Sequence, residues 1–189
     1  MPGLLREYAV VPAHNAELVP ENFSYTQASL IEPIAVIMHM LELVQIHAGD
    51  SVAVLGAGPI GLLAAAVARH CGASQVLMAD KLPHRIKMAQ DLCATAAVSI
   101  GQFRELVGDK TRGRGVDLAI DAAGAAETIN AALAVTRLGG TFVLIGIPIV
   151  QLGFAIVSLI CVWAFARTVA GAIYLSQDQA YPRPRTWLI

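Results

Sequence analysis

The chain has 189 residues, enough for one domain with an adequate core, and is unusually apolar: 56% hydrophobic, only 14% charged, with a mean hydropathy of +0.62. Soluble chains average roughly 25% charged residues, so the deficit fits either a membrane protein or a sheet buried on both faces. A net charge of −1 without a basic run removes nucleic acid from the expected partners, and three scattered cysteines, Cys71, Cys93 and Cys161, encode neither a disulfide framework nor a four-cysteine zinc lobe.

The opening MPGLLREYAV has no long apolar core behind a basic start, so no secretory signal is read and the cytoplasm is the expected compartment. Glu7–Pro12 (EYAVVP) predicts a short strand ending at its proline. Ser24-Tyr25-Thr26-Gln27 has the form of a capping box, in which Ser24 accepts from the Gln27 amide and the Gln27 side chain reaches back. The helix begun there is expected to be interrupted at Pro33, whose ring also disfavours helical geometry at Glu32. Beyond it, Ile34, Ile37, Met38, Leu41 and Val44 recur at helical spacing, and Gly49-Asp50 makes a turn.

From Ser51 the pattern alternates. Strands are expected at Ser51–Leu55, Gln75–Ala79, Ala97–Ile100, Val116–Ile120 and Thr141–Ile145. Helices are expected at Pro59–His70, Pro83–Leu92 and Ala125–Arg137, with a weaker one at Phe103–Gly108. Alternating strands and helices predict an α/β fold, a doubly wound parallel sheet with helices on both faces. Parallel strands buried on both faces read as continuous apolar runs, which accounts for much of the composition. A second uncharged run, Ile149–Ala166, would reach roughly 27 Å as a helix, marginal for a membrane span. A helix and loop covered by another domain or a partner copy is the preferred reading, a membrane anchor the alternative, so a membrane is not an expected partner.

Gly56-Ala57-Gly58-Pro59-Ile60-Gly61 follows a strand and opens a helix. In a dinucleotide fingerprint, Gly56 permits the tight turn, Gly58 lets the backbone approach a pyrophosphate, and Gly61 allows close helix–strand packing. Amides at the helix start face the phosphates, aided by the helix dipole. Pro59 costs little there, since a first-turn amide has no intrahelical partner. Asp80 follows Gly61 by nineteen residues and ends the second strand. A carboxylate there accepts from ribose hydroxyls and repels a 2′-phosphate, so NAD is the expected cofactor rather than NADP.

From Arg6 to Gly146 the chain resembles the medium-chain, zinc-type alcohol and polyol dehydrogenases, above all the sorbitol and threonine dehydrogenase branch. The residues that carry the resemblance are EYAVVPAHNA, IEPIAV, GDSVAVLGAGPIGLLA, DKLPHRIKMA, VDLAIDAAG and GGTFVLIGIP, in the family's order. The resemblance implies that Asp80 and Arg85 face the adenosine ribose, that Ile60 lies beside the cofactor, and that Ile145, Gly146 and Ile147 line the nicotinamide end. Ala122 to Gly124 would pass near the adenine or the nicotinamide ribose. Glu32 stands where that branch places a glutamate close to the catalytic zinc, as ligand or as partner of its water, and is the one candidate for catalysis and metal binding. The family's other zinc ligands, a cysteine and a His-Glu pair, belong to a segment preceding the match to EYAVVP, so this chain is not expected to bind zinc by itself.

His14, His39, His47, His70 and His84 form no HxxxH or HExxH spacing. His39 is read as a satisfied structural histidine, His70 and His84 as partly exposed helix residues, and the cysteines as buried small residues. Downstream the resemblance weakens: Ala164-Phe165 replaces a charged Lys-Glu pair, Tyr174 stands near an arginine position, and Pro184 falls where a helix should continue. The expected organisation is a remnant of a GroES-like catalytic domain over residues 1–32, a Rossmann domain over 33–178, and an irregular tail over 179–189. The expected function is hydride transfer between NAD and a secondary alcohol or polyol, in an assembly formed by the chain pairing with itself through its sheet edge. The alternative is a non-enzymatic dinucleotide-binding module that associates with a homologue.

Overall fold

A computed structural model describes residues 10–146. Five strands form one parallel sheet: β1 (Ser51–Leu55), β2 (Gln75–Asp80), β3 (Ala96–Ser99), β4 (Val116–Asp121) and β5 (Thr136–Leu144), in the order β3-β2-β1-β4-β5. Before and between them run the helices α1 (Tyr25–Ala28), α2 (Ile31–Val44), α3 (Pro59–His70), α4 (Pro83–Leu92), α5 (Phe103–Thr111) and α6 (Ala126–Val135). The expected parallel α/β sheet is therefore present.

β1 is buried along its whole length because both of its faces are covered. Val52 and Val54 point into a core shared with α2, α3 and α4, through Ile37, Ala64, Ala68 and Ala89. Ala53 and Leu55 point the other way, against Phe103, Val107, Ala132 and Val135 of α5 and α6. The period-2 alternation that would mark a half-buried strand is erased, leaving an apolar run. Gly61 decides how closely α3 approaches this sheet. A Cβ there would overlap the carbonyl oxygen of Gly56 and meet Val54 Cγ1 at 3.5 Å, so no side chain fits.

The N-terminal part departs from the sequence expectation in two places. Val10–Pro12, the described end of the expected first strand, is not extended into a sheet; Val10 is fully exposed. A strand needs a neighbour for its amides, and the chain turns instead through a 3-10 turn at Ala13–Asn15. The capping box at Ser24 forms as expected, with Gln27 N donating to Ser24 Oγ at 3.2 Å and Ser24 N donating to Gln27 Oε1 at 2.8 Å. The helix then breaks at Ser29–Leu30 rather than at Pro33, and both Glu32 and Pro33 are helical. Pro33 falls in the first turn of α2, where its missing amide has no partner to lose. Residues Tyr25–Val44 are apolar and long enough to cross a membrane by length and composition alone, with mean hydropathy 1.4; Ile37, Met40 and Leu41 are buried against the sheet's helical layer, while Val36, Met38 and Leu43 are exposed.

A third departure is at β5. The expected helix to Arg137 stops at Val135, and the strand starts at Thr136, five residues early. Thr136 ends α6 by turning extended (φ −73°, ψ 130°) while its Oγ1 donates to Ala132 O at 2.8 Å. β4 and β5 then slip in register: Val116 pairs with Thr136, but Leu118 pairs with Thr141, so Arg137–Gly140 bulge outward.

That bulge brings Arg137 onto Asp117, whose side chain is 9% exposed. Arg137 Nε donates to Asp117 Oδ1 at 2.6 Å, Arg114 Nη1 and Nη2 to Oδ1 and Oδ2 at 2.9 and 2.7 Å, and Ser51 N and Oγ to Oδ2 at 2.9 and 2.7 Å. Burial pushes the Asp117 carboxyl up, but hydrogen bonds from Arg114, Ser51 and Arg137 outweigh it and hold the group well below the usual carboxylate range. One carboxylate thus fastens β1, β4 and β5 together at their amino-terminal ends.

Because its folded pKa lies below its unfolded value, Asp117 stabilises the fold above pH ~4 and ceases to do so as pH falls further. Asp117→Asn is expected to lower stability at pH 7 by roughly 2 to 4 kcal/mol and to flatten the acid side of the stability profile. Urea unfolding at pH 7 and pH 3 measures both; equal midpoints for the two proteins at pH 7 would contradict the role. Gly61→Ala is expected to cost about 3 kcal/mol through overlap with backbone. Gly108→Ala, in α5 where a Cβ meets nothing within 4 Å, is expected to stabilise by roughly 0.5 to 1 kcal/mol. Thermal unfolding separates the two signs.

Candidate functional site

In an open parallel sheet, ligands collect beyond the carboxyl ends of the strands, where the strand order reverses. Here that point lies between β1 and β4. The glycine loop leaves β1 with Gly56 at φ +101°, a conformation that disfavours any side chain. Gly56 N donates to Ala79 O at 2.8 Å, and Ala57 N donates to Asp80 Oδ2 at 2.7 Å. Asp80 Oδ1 accepts from Leu82 N at 2.9 Å. The carboxylate therefore ties the loop after β1 to the turn after β2, and Arg85 Nη1 stands 3.9 Å from Asp80 Oδ2.

A cleft of about 390 Å³ opens beside this brace, lined by Gly56, Asp80, Lys81, Arg85, Ala125 and Thr128, with Leu82 and Ile100 adding apolar surface. At one side α3 begins at Pro59 with Gly58 as N-cap, no side chain capping it and no acid in its first turn. A Cβ on Gly58 would meet only Arg85 Nη1, at 3.9 Å. An uncapped helix start with open space before it, a cation beside it and no acid in its own first turn suits a phosphate group. The residues present fit the pyrophosphate and ribose of a dinucleotide.

The opposite wall is built from the end of β4. Asp121 is fully buried, and its Oδ1 and Oδ2 accept from Ala123 N and Gly124 N, each at 3.1 Å. Its own carbonyl accepts from Ile145 N and Gly146 N, each at 2.9 Å. Ala122 N donates to Leu55 O at 2.8 Å, which sets this turn against the glycine loop; a Cβ on Gly56 would come within 3.1 Å of Ala123 N. A Cβ on Gly146 would overlap Gly124 N, so these two glycines must approach backbone to backbone.

Of the residues expected at the site, Gly56, Asp80 and Arg85 line the cleft itself. Gly58 and Gly61 shape the helix start, while Ala122, Gly124, Ile145 and Gly146 form the neighbouring turn. Pro59 is exposed, and Ile60 is half-buried against the core. Ile147 lies outside the described residues, as does the apolar run Ile149–Ala166. Glu32 sits exposed in the first turn of α2.

No group of three His, Cys, Asp or Glu side chains able to hold a metal occurs among the described residues, so these residues do not fit a zinc centre. Two expectations about single side chains need correction. His39 is not an enclosed structural histidine: its side chain is 75% exposed and its Nδ1 lies 3.5 Å from Glu42, because it sits on the outer face of α2. Cys71 is exposed at the end of α3, whereas Cys93 is buried, and burial raises its thiol pKa against the opposing pull of Arg69.

Asp121, Lys81 and Thr128 were not among the expected site residues; Glu127, which pairs with Lys81, is not on the cleft lining. Asp121 left a usable signal, a carboxylate closing the apolar strand VDLAID directly before small residues. Thr128 is buried and holds the turn into α6, accepting from Ala125 N at 3.2 Å; nothing in its spacing announces that.

The pattern of the family described as zinc-binding dehydrogenase matches residues 59–184. The chain is 34% identical over 162 residues to D-xylulose reductase A of Aspergillus niger, an alignment covering 82% of this chain and 45% of that protein. Among solved structures, alcohol dehydrogenase TADH from Thermus sp. ATN1 superposes with a TM-score of 0.65 at 35% identity, covering 69% of this chain and 39% of that one. A zinc-binding dehydrogenase from Sinorhizobium meliloti 1021 bound to NADP superposes with a TM-score of 0.62 at 32% identity, covering 68% and 39%. The chain spans less than half the length of the curated relative it matches. Fold, glycine loop and matched pattern agree: the chain belongs to the zinc-binding dehydrogenase family.

Proposed function

We propose that the chain holds NAD in the cleft beside Asp80, as the cofactor-binding portion of an oxidoreductase acting on a secondary alcohol or polyol. The observation that carries the reading is Asp80: its side chain is 7% exposed, its carboxylate is bonded to the Ala57 amide of the glycine loop, and it lies on the lining of the cleft. A carboxylate there accepts from the two hydroxyls of an adenosine ribose and opposes a phosphate on the 2′ oxygen. Arg85, 43% exposed and beside both Asp80 and Gly58, supplies a cation near the phosphates. The start of α3 offers its amides to the pyrophosphate, and Leu82 and Ile100 offer apolar contact to the adenine.

When bound, the nicotinamide supplies the carbon that accepts or gives the hydride. The part of the described residues is to hold and orient that ring, with the Ala122–Gly124 turn, Ile145 and Gly146 fixing the backbone at its end of the cleft. The substrate class rests on the resemblance to polyol dehydrogenases and on the relative named D-xylulose reductase A. The groups named here for the dinucleotide are backbone amides, one carboxylate and one cation, so its binding is read as independent of metal.

Titration of the 189-residue chain with NADH, followed by nicotinamide fluorescence, is expected to saturate and to be unchanged by a chelator. Asp80→Asn is expected to weaken NADH binding roughly tenfold or more, the equivalent of losing one charged hydrogen bond. Equal affinity of the variant and the parent for NADH would contradict the assignment of Asp80.

A further inference from the structure

Lys81 and Glu127 meet across the mouth of the cleft. Lys81 Nζ lies 2.9 Å from Glu127 Oε2, and the two side chains are 60% and 54% exposed. Lys81 directly follows Asp80 and lines the wall formed by the turn after β2. Glu127 stands in the first turn of α6, next to Thr128, which lines the other wall. The second cation of the lining, Arg85, stands near Asp80 at 3.9 Å. Each cation at this end of the cleft therefore faces a carboxylate, and the positive potential a bare Lys-Arg pair would create is largely offset.

We propose that Glu127 is a specificity-determining residue for the dinucleotide: by holding Lys81 and by its own charge, it disfavours a phosphate on the 2′ oxygen of the adenosine ribose. The inference rests on the dinucleotide reading above. Asp80 alone repels such a phosphate, but a neighbouring free lysine would compensate. Glu127 removes that compensation without itself being needed for ribose binding. An ion pair this exposed is weak and opens easily, so the lysine becomes available as soon as the opposing charge is gone. A phosphate carrying close to two negative charges then gains a cation and loses a repulsion, an effect of about three- to tenfold in affinity at moderate salt. A dinucleotide lacking the phosphate meets neither change.

The test uses the whole 189-residue chain as parent, E127Q, K81M and the double variant, each titrated with NADH and NADPH by nicotinamide fluorescence. E127Q is expected to tighten NADPH binding about three- to tenfold while NADH shifts less than about twofold. The gain is expected to vanish in the double variant and to shrink at about 0.5 M salt. Thermal unfolding of E127Q checks that the fold is kept. Equal shifts for both dinucleotides, no shift for NADPH, or a gain that persists without Lys81 would overturn the role of Glu127 while leaving the dinucleotide site standing. A parent chain that binds neither dinucleotide would overturn the dinucleotide reading, and this inference with it.

Discussion

The hydrogen bond from the Ala57 amide to the Asp80 carboxylate is the contact on which the cleft depends. It joins the loop after β1 to the end of β2, so the glycine loop is held by a neighbouring strand and not only by its own turn geometry. The same carboxylate receives Leu82 N and thereby fixes the start of α4. A buried acceptor with two amide donors is positioned before any ligand arrives, and preorganisation of this kind lowers the ordering cost of binding. Removing the bond would free two backbone segments at once, which is why one side chain controls so much of the site.

Three aspartates at strand ends show how environment sets the role of the same functional group. Asp117, at the amino end of β4, is held by two arginines and Ser51 and serves the sheet. Asp121, at the carboxyl end of the same strand, has only backbone amides as partners and serves the shape of a turn. Asp80 has amide partners, a cation at 3.9 Å and an open cleft beside it. Only the last combination leaves a carboxylate both fixed and reachable. β4 is thus fastened at its amino end by charge pairs and shaped at its carboxyl end, beside the cleft, by neutral backbone donors.

Much of this was legible in the sequence because the signals were local. The run Ser51–Asp80 contains strand, glycine turn, helix and acid, and each of those elements is found within a residue of its expected bounds. The places where the reading failed depend on contacts distant in sequence. The early start of β5 goes with Thr136 pairing to Val116 and Arg137 bonding to Asp117, each twenty residues away, and no pattern inside the segment reports either. The helix break before Pro33 follows from where the first turn of α2 falls, which a proline tolerates as well as it terminates a helix. Asp121 shapes the site, and Glu127 reaches Lys81, only because two separate βα turns come together.

The central claim, that the Asp80-braced glycine loop receives a dinucleotide, is tested most directly by following backbone amide resonances during an NADH titration of the isotopically labelled chain. The account predicts saturable shifts at Ala57, Gly58, Ile60, Gly61 and Leu82, with the amides of Ser51 and Asp117 at the far end of the sheet unmoved. Shifts confined to α2 or to the Asp117 end, with the glycine loop unperturbed, would contradict it.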